Sequence, residues 1–393
     1  MAYYFASRME KTPRSFIREI LKMTEKPEVI SFAGGLPNPS LFAVEELATA
    51  ARDVMADAGR AALQYSTTEG YLPLREFIAE RYRQRLGLSV GPDEILITNG
   101  SQQCLDLIGK VFLDPGDPVF IERPGYLGAI QAFSLYESAF RPVPLLDDGP
   151  DIDCLKAMLE ETPARLFYGV PNAQNPSGIT YSEEKRRAIA AALADTGTIF
   201  VEDDAYGELR FDGRHLPSVR QYLDDATIII GSFSKIVTPG LRIGWVACPH
   251  EILGQITVAK QASDLHSNTL AQRIIARYVE TNDIDAHIER ITRAYRIQRD
   301  LMIAAIEEEF PEGAHYTRPD GGMFLWVTLP EGCSTMRLLE IALRANVAFV
   351  PGRAFYVDGG GDTAMRLNFS NAGEEEIVEG IRRLGAAIRT FTG

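Results

Sequence analysis

From about residue 94 onward, short apolar runs rich in β-branched residues alternate with amphipathic stretches, and this alternation constrains the fold more than any other feature of the chain. The runs are Ile95–Thr98, Pro118–Ile121, Leu166–Val170, Thr198–Val201 and Ala226–Ile230, and helical patterns such as Gln102–Phe112 and Glu183–Leu193 fall between them. Runs that are apolar throughout read as strands buried on both faces, as parallel sheets require when crossover helices cover both sides. The expected fold is α/β, a mainly parallel sheet with helices on both faces. Ligands of such sheets bind at the carboxyl ends of the strands, so residues just beyond each run are the first candidates for a site.

Further along, the pattern changes. Asp283 to Glu309 reads as one extended helix, followed by strand-like Met323–Thr328, a helix near Met336–Arg344 and strand-like Met365–Phe369, together a smaller α+β domain. The N-terminal part offers a helix candidate over Pro13–Met23, then Ser31–Pro39, too rich in Gly and Pro for regular structure. A chain of 393 residues is long enough for two domains. The expected division is an N-terminal arm over 1–45 that covers the site and packs with the small domain, a large domain over 46–295 and a small domain over 296–393.

Several function classes are set aside by composition. Forty Lys and Arg against fifty-four Asp and Glu leave a net charge of −14, a poor surface for a nucleic acid, which binds by releasing counterions onto basic patches. No segment reaches the roughly 18 uninterrupted apolar residues of a membrane helix, and no basic-then-apolar leader opens the chain, so a cytoplasmic, soluble protein is expected. Cys104, Cys154, Cys248 and Cys333 are scattered singly among apolar residues, without the spacing of a metal cage, and read as small buried hydrophobes. The five histidines are equally dispersed.

The chemistry-bearing residues sit just beyond the runs. Lys235 and Arg242 lie in the loop Gly231–Gly244, beside Ser232 and Ser234. An amine that forms a Schiff base must be partly desolvated, because a hydrated ammonium is a poor nucleophile, and strand walls lower its pKa. The two hydroxyls and Arg242 form a candidate anion cup; taken alone, the loop is as readily an exposed Lys with a structural Arg. Thr98–Leu107 is a strand end, a Gly-containing turn and a helix start, where unpaired N–H groups and the helix dipole favour an anion at Ser101 and Gln102. Ser101 is equally a plain N-cap.

In Val201–Tyr206, an ionised Asp203 can keep a pyridine nitrogen protonated and Tyr206 can donate to a ring phenolate, although carboxylates after a strand also suit Mg²⁺ or a solvated loop. Asn175 precedes a proline in the turn Val170–Gly178, an extended conformation that presents its amide. Tyr126 places a flat ring beyond the run Pro118–Ile121, where it stacks on a heterocycle or simply packs. Together these parts meet the needs of pyridoxal 5′-phosphate (PLP).

These residues, with the phrases Ser31–Pro37, Tyr65–Arg75, Glu202–Tyr206 and the lysine loop, make the chain resemble the fold-type-I PLP-dependent aminotransferases of class I/II, in the branch of 2-aminoadipate, kynurenine, aromatic and branched-chain enzymes. The resemblance runs from about Arg14 to the C-terminus and implies a seven-stranded type of sheet. It implies that Lys235 holds the cofactor, that Asp203 partners the pyridine nitrogen, that Asn175 and Tyr206 donate to the phenolate, and that Tyr126 stacks on the ring. Ser101, Gln102, Ser232, Ser234 and Arg242 are implied around the phosphate, and Tyr65 is implied to reach the phosphate of a second subunit in a homodimer. Arg366 is implied as the fork that clamps the substrate α-carboxylate, a task for which Lys is less suited. Gly35 is implied where the backbone closes over the amino acid, and Arg18, on a helix covering the pocket, as a contact for a distal carboxylate. A surface charge is the plainer account of Arg18.

The implied reaction is ping-pong transamination to a 2-oxo acid such as 2-oxoglutarate, with the Lys235 amine moving the proton between Cα and C4′. Two rivals stand beside it: a PLP lyase or decarboxylase on the same scaffold, and an aminotransferase-like transcriptional regulator that requires an additional DNA-binding module.

Overall fold

In the computed structural model, which describes residues 3–11 and 28–392, the apolar runs become the centre of one large sheet. After β1 (Ile30–Ser31) the chain lays down β2 (Ile95–Thr98), β3 (Pro118–Arg123), β4 (Ala139–Leu146), β5 (Gly149–Pro150), β6 (Leu166–Gly169), β7 (Ile199–Asp203), β8 (Thr227–Ser232) and β9 (Gly244–Ala247). The spatial order is β2-β9-β8-β7-β6-β3-β4-β5. Contacts from β4 through β3, β6 and β7 to β8 are parallel, whereas β9 runs antiparallel to both β8 and β2. Seven strands carry the sheet and the two-residue β5 closes one edge by a hairpin to β4. Strands β2, β6, β8 and β9 are buried along their whole length, as continuous apolar runs require.

The helices expected near 102–112, 183–193, 283–309 and 336–344 are present, and two of them have clear causes for their starts. Ser182 accepts from the Lys185 N–H at the head of helix Glu183–Leu193, with Glu183 and Glu184 in its first turn, where carboxylates oppose the positive end of the dipole. Asp283 does the same for helix Ile284–Glu309 by accepting from Ala286. That helix passes through residue 295 without a break, so the two parts of the chain share an element instead of meeting at a linker.

Beyond it come β10 (His315–Tyr316), β11 (Phe324–Thr328), β12 (Val347–Ala348), β13 (Val350–Pro351) and β14 (Ala364–Asn368). An antiparallel sheet forms in the order β10-β11-β14-β13, backed by helices Thr335–Arg344 and Glu374–Thr392. The N-terminal segment joins this part: β1 pairs in parallel with β12, and Asn368 donates its N–H to the Phe32 carbonyl at 2.9 Å. Gly35 and Arg366 are thereby carried to the same place.

No helix among the described residues is long and apolar enough to cross a membrane, and no cluster of metal-ligating residues occurs among them. Cys104, Cys248 and Cys333 are buried as expected, but Cys154 is only half-buried, because helix Ile152–Glu161 buries just Leu155 fully and leaves its other face near the surface.

Candidate active site

At the carboxyl edge of the parallel strands, a cavity of about 500 Å³ gathers every predicted site residue except two. Gly35, Ser101, Gln102, Tyr126, Asn175, Asp203, Tyr206, Ser232, Ser234, Lys235, Arg242 and Arg366 all line it. Tyr65 does not; it is 80% exposed at the surface, edge-on to the His266 ring at 5.8 Å. Arg18 and the helix expected over Pro13–Met23 lie outside the described residues.

One end of the cavity is built for an anion. β2 ends at Thr98; Gly100, two residues on, has a φ of +78° that suits glycine, and helix Ser101–Phe112 starts at the next residue. Gly100, not Ser101, occupies the cap position, and no side chain caps the first turn of the helix. A Cβ on Gly100 would lie 2.4 Å from Arg242 Nη2, so only glycine leaves room for the guanidinium. Arg242 itself has a φ of +55° and donates to the carbonyls of Asn99 (3.3 Å) and Pro239 (3.4 Å), which holds the guanidinium beside the helix start. On the other side the Ser232 hydroxyl donates to Ser234 Oγ (2.9 Å) and accepts from the Ser234 N–H (3.1 Å).

The middle of the cavity holds an amine and a carboxylate. Lys235 Nζ donates to the Gly35 carbonyl at 2.9 Å and lies 6.0 Å from the centre of the Tyr206 ring. Burial, with the nearby charges of Arg366 and Arg242, lowers its pKa to about 8, against the opposing pull of Asp203. Asp203, at the end of β7, is 2% exposed, and burial pushes its pKa up to about 6. It accepts from the Tyr168 hydroxyl at 2.8 Å and from the Ala205 N–H at 3.3 Å. The Tyr126 ring stacks on Tyr168 with centres 6.4 Å apart, which leaves its other face toward the cavity it lines.

Arg366 guards the far side. It is 2% exposed on β14, donates from Nη1 to Asn175 Oδ1 and from Nη2 to the Ala33 carbonyl, both at 2.8 Å, and lies 4.2 Å over Phe324 and 5.2 Å over Phe355. Its Nε has no acceptor, and among the described residues no carboxylate lies within bridging distance. Burial lowers its pKa to about 10, still charged at neutral pH. A buried cation without an anion is costly to the fold, and its persistence points to an anionic ligand.

Four residues that carry the site were not expected from the sequence; one is Tyr168, the donor to Asp203. Phe324 and Phe355 make the aromatic slot for Arg366, and Glu122, buried on β3, accepts from the Val170 N–H (3.0 Å), Gln174 Nε2 (2.9 Å) and the Tyr181 hydroxyl. Gln174 in turn accepts from the Ser177 N–H at 2.7 Å, so Glu122 anchors the turn that presents Asn175.

Residues 28–384 match the family model for aminotransferase class I and II. The chain is 45% identical over 379 residues to a 2-aminoadipate transaminase of Thermus thermophilus, with 95% of this chain and 94% of that one covered. It is 42% identical over 392 residues to aromatic-amino-acid aminotransferase 1 of Thermococcus litoralis, with 98% and 94% covered. Its fold matches a solved structure of alpha-aminoadipate aminotransferase from Thermus thermophilus, complexed with N-(5′-phosphopyridoxyl)-L-leucine, with a TM-score of 0.93 at 43% identity over 99% and 98% of the two chains. Sequence, fold and cavity agree, and the chain belongs to the class I and II aminotransferases, PLP-dependent enzymes of fold type I.

Proposed function

We propose that the enzyme transfers an amino group from an L-amino acid of 2-aminoadipate, aromatic or branched-chain type to a 2-oxo acid, with 2-oxoglutarate as the acceptor, by a ping-pong reaction. What supports this most is the pairing in one cavity of a half-buried amine, Lys235, with a buried guanidinium that lacks a carboxylate, Arg366. An amino acid carries on one carbon a carboxylate that complements Arg366 and an amine that can take the place of the Lys235 amine.

The residues fit PLP. Arg242, Ser232, Ser234 and the first turn at Ser101 and Gln102 receive the phosphate, in room kept by Gly100. Asp203 meets the ring nitrogen, Tyr126 covers one face, and Asn175 and Tyr206 donate to the phenolate. Bound there, PLP supplies an electron sink that lets the substrate Cα–H bond break. Lys235 Nζ holds the cofactor, then takes and returns the Cα proton. Arg366 orients the α-carboxylate and Gly35 closes over the amino acid.

A donor screen with 2-oxoglutarate, read as glutamate formed, tests the assignment: glutamate is expected, and pyruvate with ammonia instead would mean a lyase. In the same screen Arg18→Ala is expected to lose the dicarboxylic donors by about 10-fold or more while keeping aromatic and branched-chain ones, as loss of one charge-assisted contact implies. An unchanged preference removes Arg18 from recognition.

A homodimer with shared sites completes the proposal. Tyr65 is exposed on a segment where Leu63 (68%) and Leu72 (48%) are also exposed, apolar surface that a second subunit would cover. Mixed dimers of a Lys235→Ala subunit and a Tyr65→Phe subunit are expected to regain one site with wild-type affinity for PLP, because the intact Tyr65 then serves the intact Lys235. A mixed dimer that keeps the weakened affinity of Tyr65→Phe would place Tyr65 in its own subunit's site.

A further inference from the structure

The donor to Asp203 comes from a residue inside an apolar strand. Tyr168 lies on β6, in register with Val201 of β7, and is 0% exposed. Its ring is held by Tyr126, stacked at 6.4 Å, and by Phe133, edge-on at 6.1 Å, so the hydroxyl has one direction to point. That direction is Asp203 Oδ2, at 2.8 Å. The other oxygen, Oδ1, has only the longer contact from the Ala205 N–H at 3.3 Å, and among the described residues no cation comes within ion-pair distance of the carboxylate. Tyr168 therefore makes the shortest hydrogen bond to Asp203 among the described residues.

We propose that Tyr168 sets the position of the proton shared by Asp203 and the pyridine nitrogen of PLP, an inference that rests on Asp203 being the partner of that nitrogen. A carboxylate that receives a hydrogen bond is a weaker base. With the bond in place, the shared proton lies mainly on nitrogen and Asp203 is mainly ionised; without it, the proton shifts toward Asp203 and the pyridine toward its neutral form. No proton is gained or lost, only relocated. A protonated ring is the better electron sink, so Tyr168 governs the reaction through Asp203 as a positioning residue and touches no reacting atom.

The surroundings agree with this division of labour. Burial pushes the Asp203 carboxyl upward, and the Tyr168 hydrogen bond is the first influence opposing it. Burial and the neighbouring Asp203 hold the Tyr168 hydroxyl well above its ordinary range, so it remains a donor. The other titratable groups facing Asp203 are Lys235 from the loop after β8, Tyr206 after β7, Tyr126 after β3, Glu122 on β3 and Cys104 on helix Ser101–Phe112. Of these only Lys235 lowers the pKa of Asp203, by charge and without a hydrogen bond.

The test is Tyr168→Phe, which keeps the ring contacts with Tyr126 and Phe133 and removes one oxygen. Enzyme loaded with PLP labelled with ¹⁵N in the ring is expected to show the nitrogen resonance displaced toward the neutral-pyridine value. The pH midpoint of the cofactor's visible absorbance should rise by about one unit, the scale of one hydrogen bond to a charged group. The kcat should fall by about tenfold or more while KM stays within about twofold. Incorporating 3-fluorotyrosine at 168, a stronger donor of nearly the same shape, should move the nitrogen resonance and the midpoint the opposite way, and it carries the test if the Phe variant folds poorly. Asp203→Asn is the reference. If it displaces both signals and neither Tyr168 variant does, Tyr168 has no such role; if Asp203→Asn leaves them unmoved, the Asp203 assignment fails and the inference falls with it.

Discussion

Lys235→Ala enzyme, reconstituted with PLP and mixed with a good amino donor, is expected to lose transamination by on the order of 10⁴-fold in single-turnover rate, the upper end of what a positioned proton-transfer group supplies. The expectation follows from geometry. Lys235 Nζ is the amine in the cavity that Asp203, Arg242 and Arg366 also line, and its bond to the Gly35 carbonyl shows that the side chain is held and not waving in solvent. Capture of PLP by the cofactor-free enzyme provides a second, pH-dependent readout. The neutral amine is the nucleophile, and its fraction rises with pH. With the pKa lowered from 10.5 to about 8, roughly a tenth of the amine is neutral at pH 7, against about 1 in 3,000 for an ordinary lysine. The capture rate, followed by absorbance, should therefore climb through pH 7 and level off above about 8. A rate still climbing steeply at pH 10 would mean that burial does not depress this amine, and a Lys235→Ala enzyme with near wild-type turnover would remove it from the reaction.

How far such a site can be read in advance depends on which face of the chemistry meets the pattern. Strands β2, β6, β7 and β8 were legible because a parallel strand covered on both sides must be apolar along its length. Strand β4 was not: Pro142 and Pro144 break the pattern, and they are tolerated because β4 lies near the edge, with only the two-residue β5 beyond it. The same distinction separates the site residues. Lys235, Asp203, Asn175 and Tyr126 follow strands, where polar residues stand out against the apolar run before them. Tyr168 sits inside a run, where a tyrosine passes for core, and Glu122 directly follows one within β3, where a carboxylate passes for an end of strand; only their hydrogen bonds reveal them. Ser101 shows the reverse error. Its hydroxyl at a helix start suggests a cap, yet the backbone gives that place to Gly100, because a residue there must leave space for Arg242.

Arg366→Lys is expected to lower kcat/KM by roughly 10²–10³-fold for the donor amino acid and for the 2-oxo acid alike, within the range for truncating one partner of a buried charged contact. The charge survives in this variant, so the loss measures geometry. The guanidinium is a planar fork: one nitrogen is committed to Asn175 and another to the Ala33 carbonyl, Phe324 and Phe355 fix the plane, and Nε remains without an acceptor. A lysine ammonium cannot satisfy both fixed acceptors and still present a two-pronged face to a carboxylate. Cofactor binding should be little changed, because the phosphate end of the cavity is built from Arg242, the serines and the helix start, on the large sheet and not on β14. The discriminating comparison pairs an amino acid with the amine that carries the same side chain but no carboxylate. Wild-type enzyme should prefer the amino acid by far, and Arg366→Lys should erase most of that preference while leaving slow turnover of the amine nearly untouched. An equal loss on both substrates would assign Arg366 to holding the fold together, and no loss on either would leave its buried, unpaired charge without a ligand.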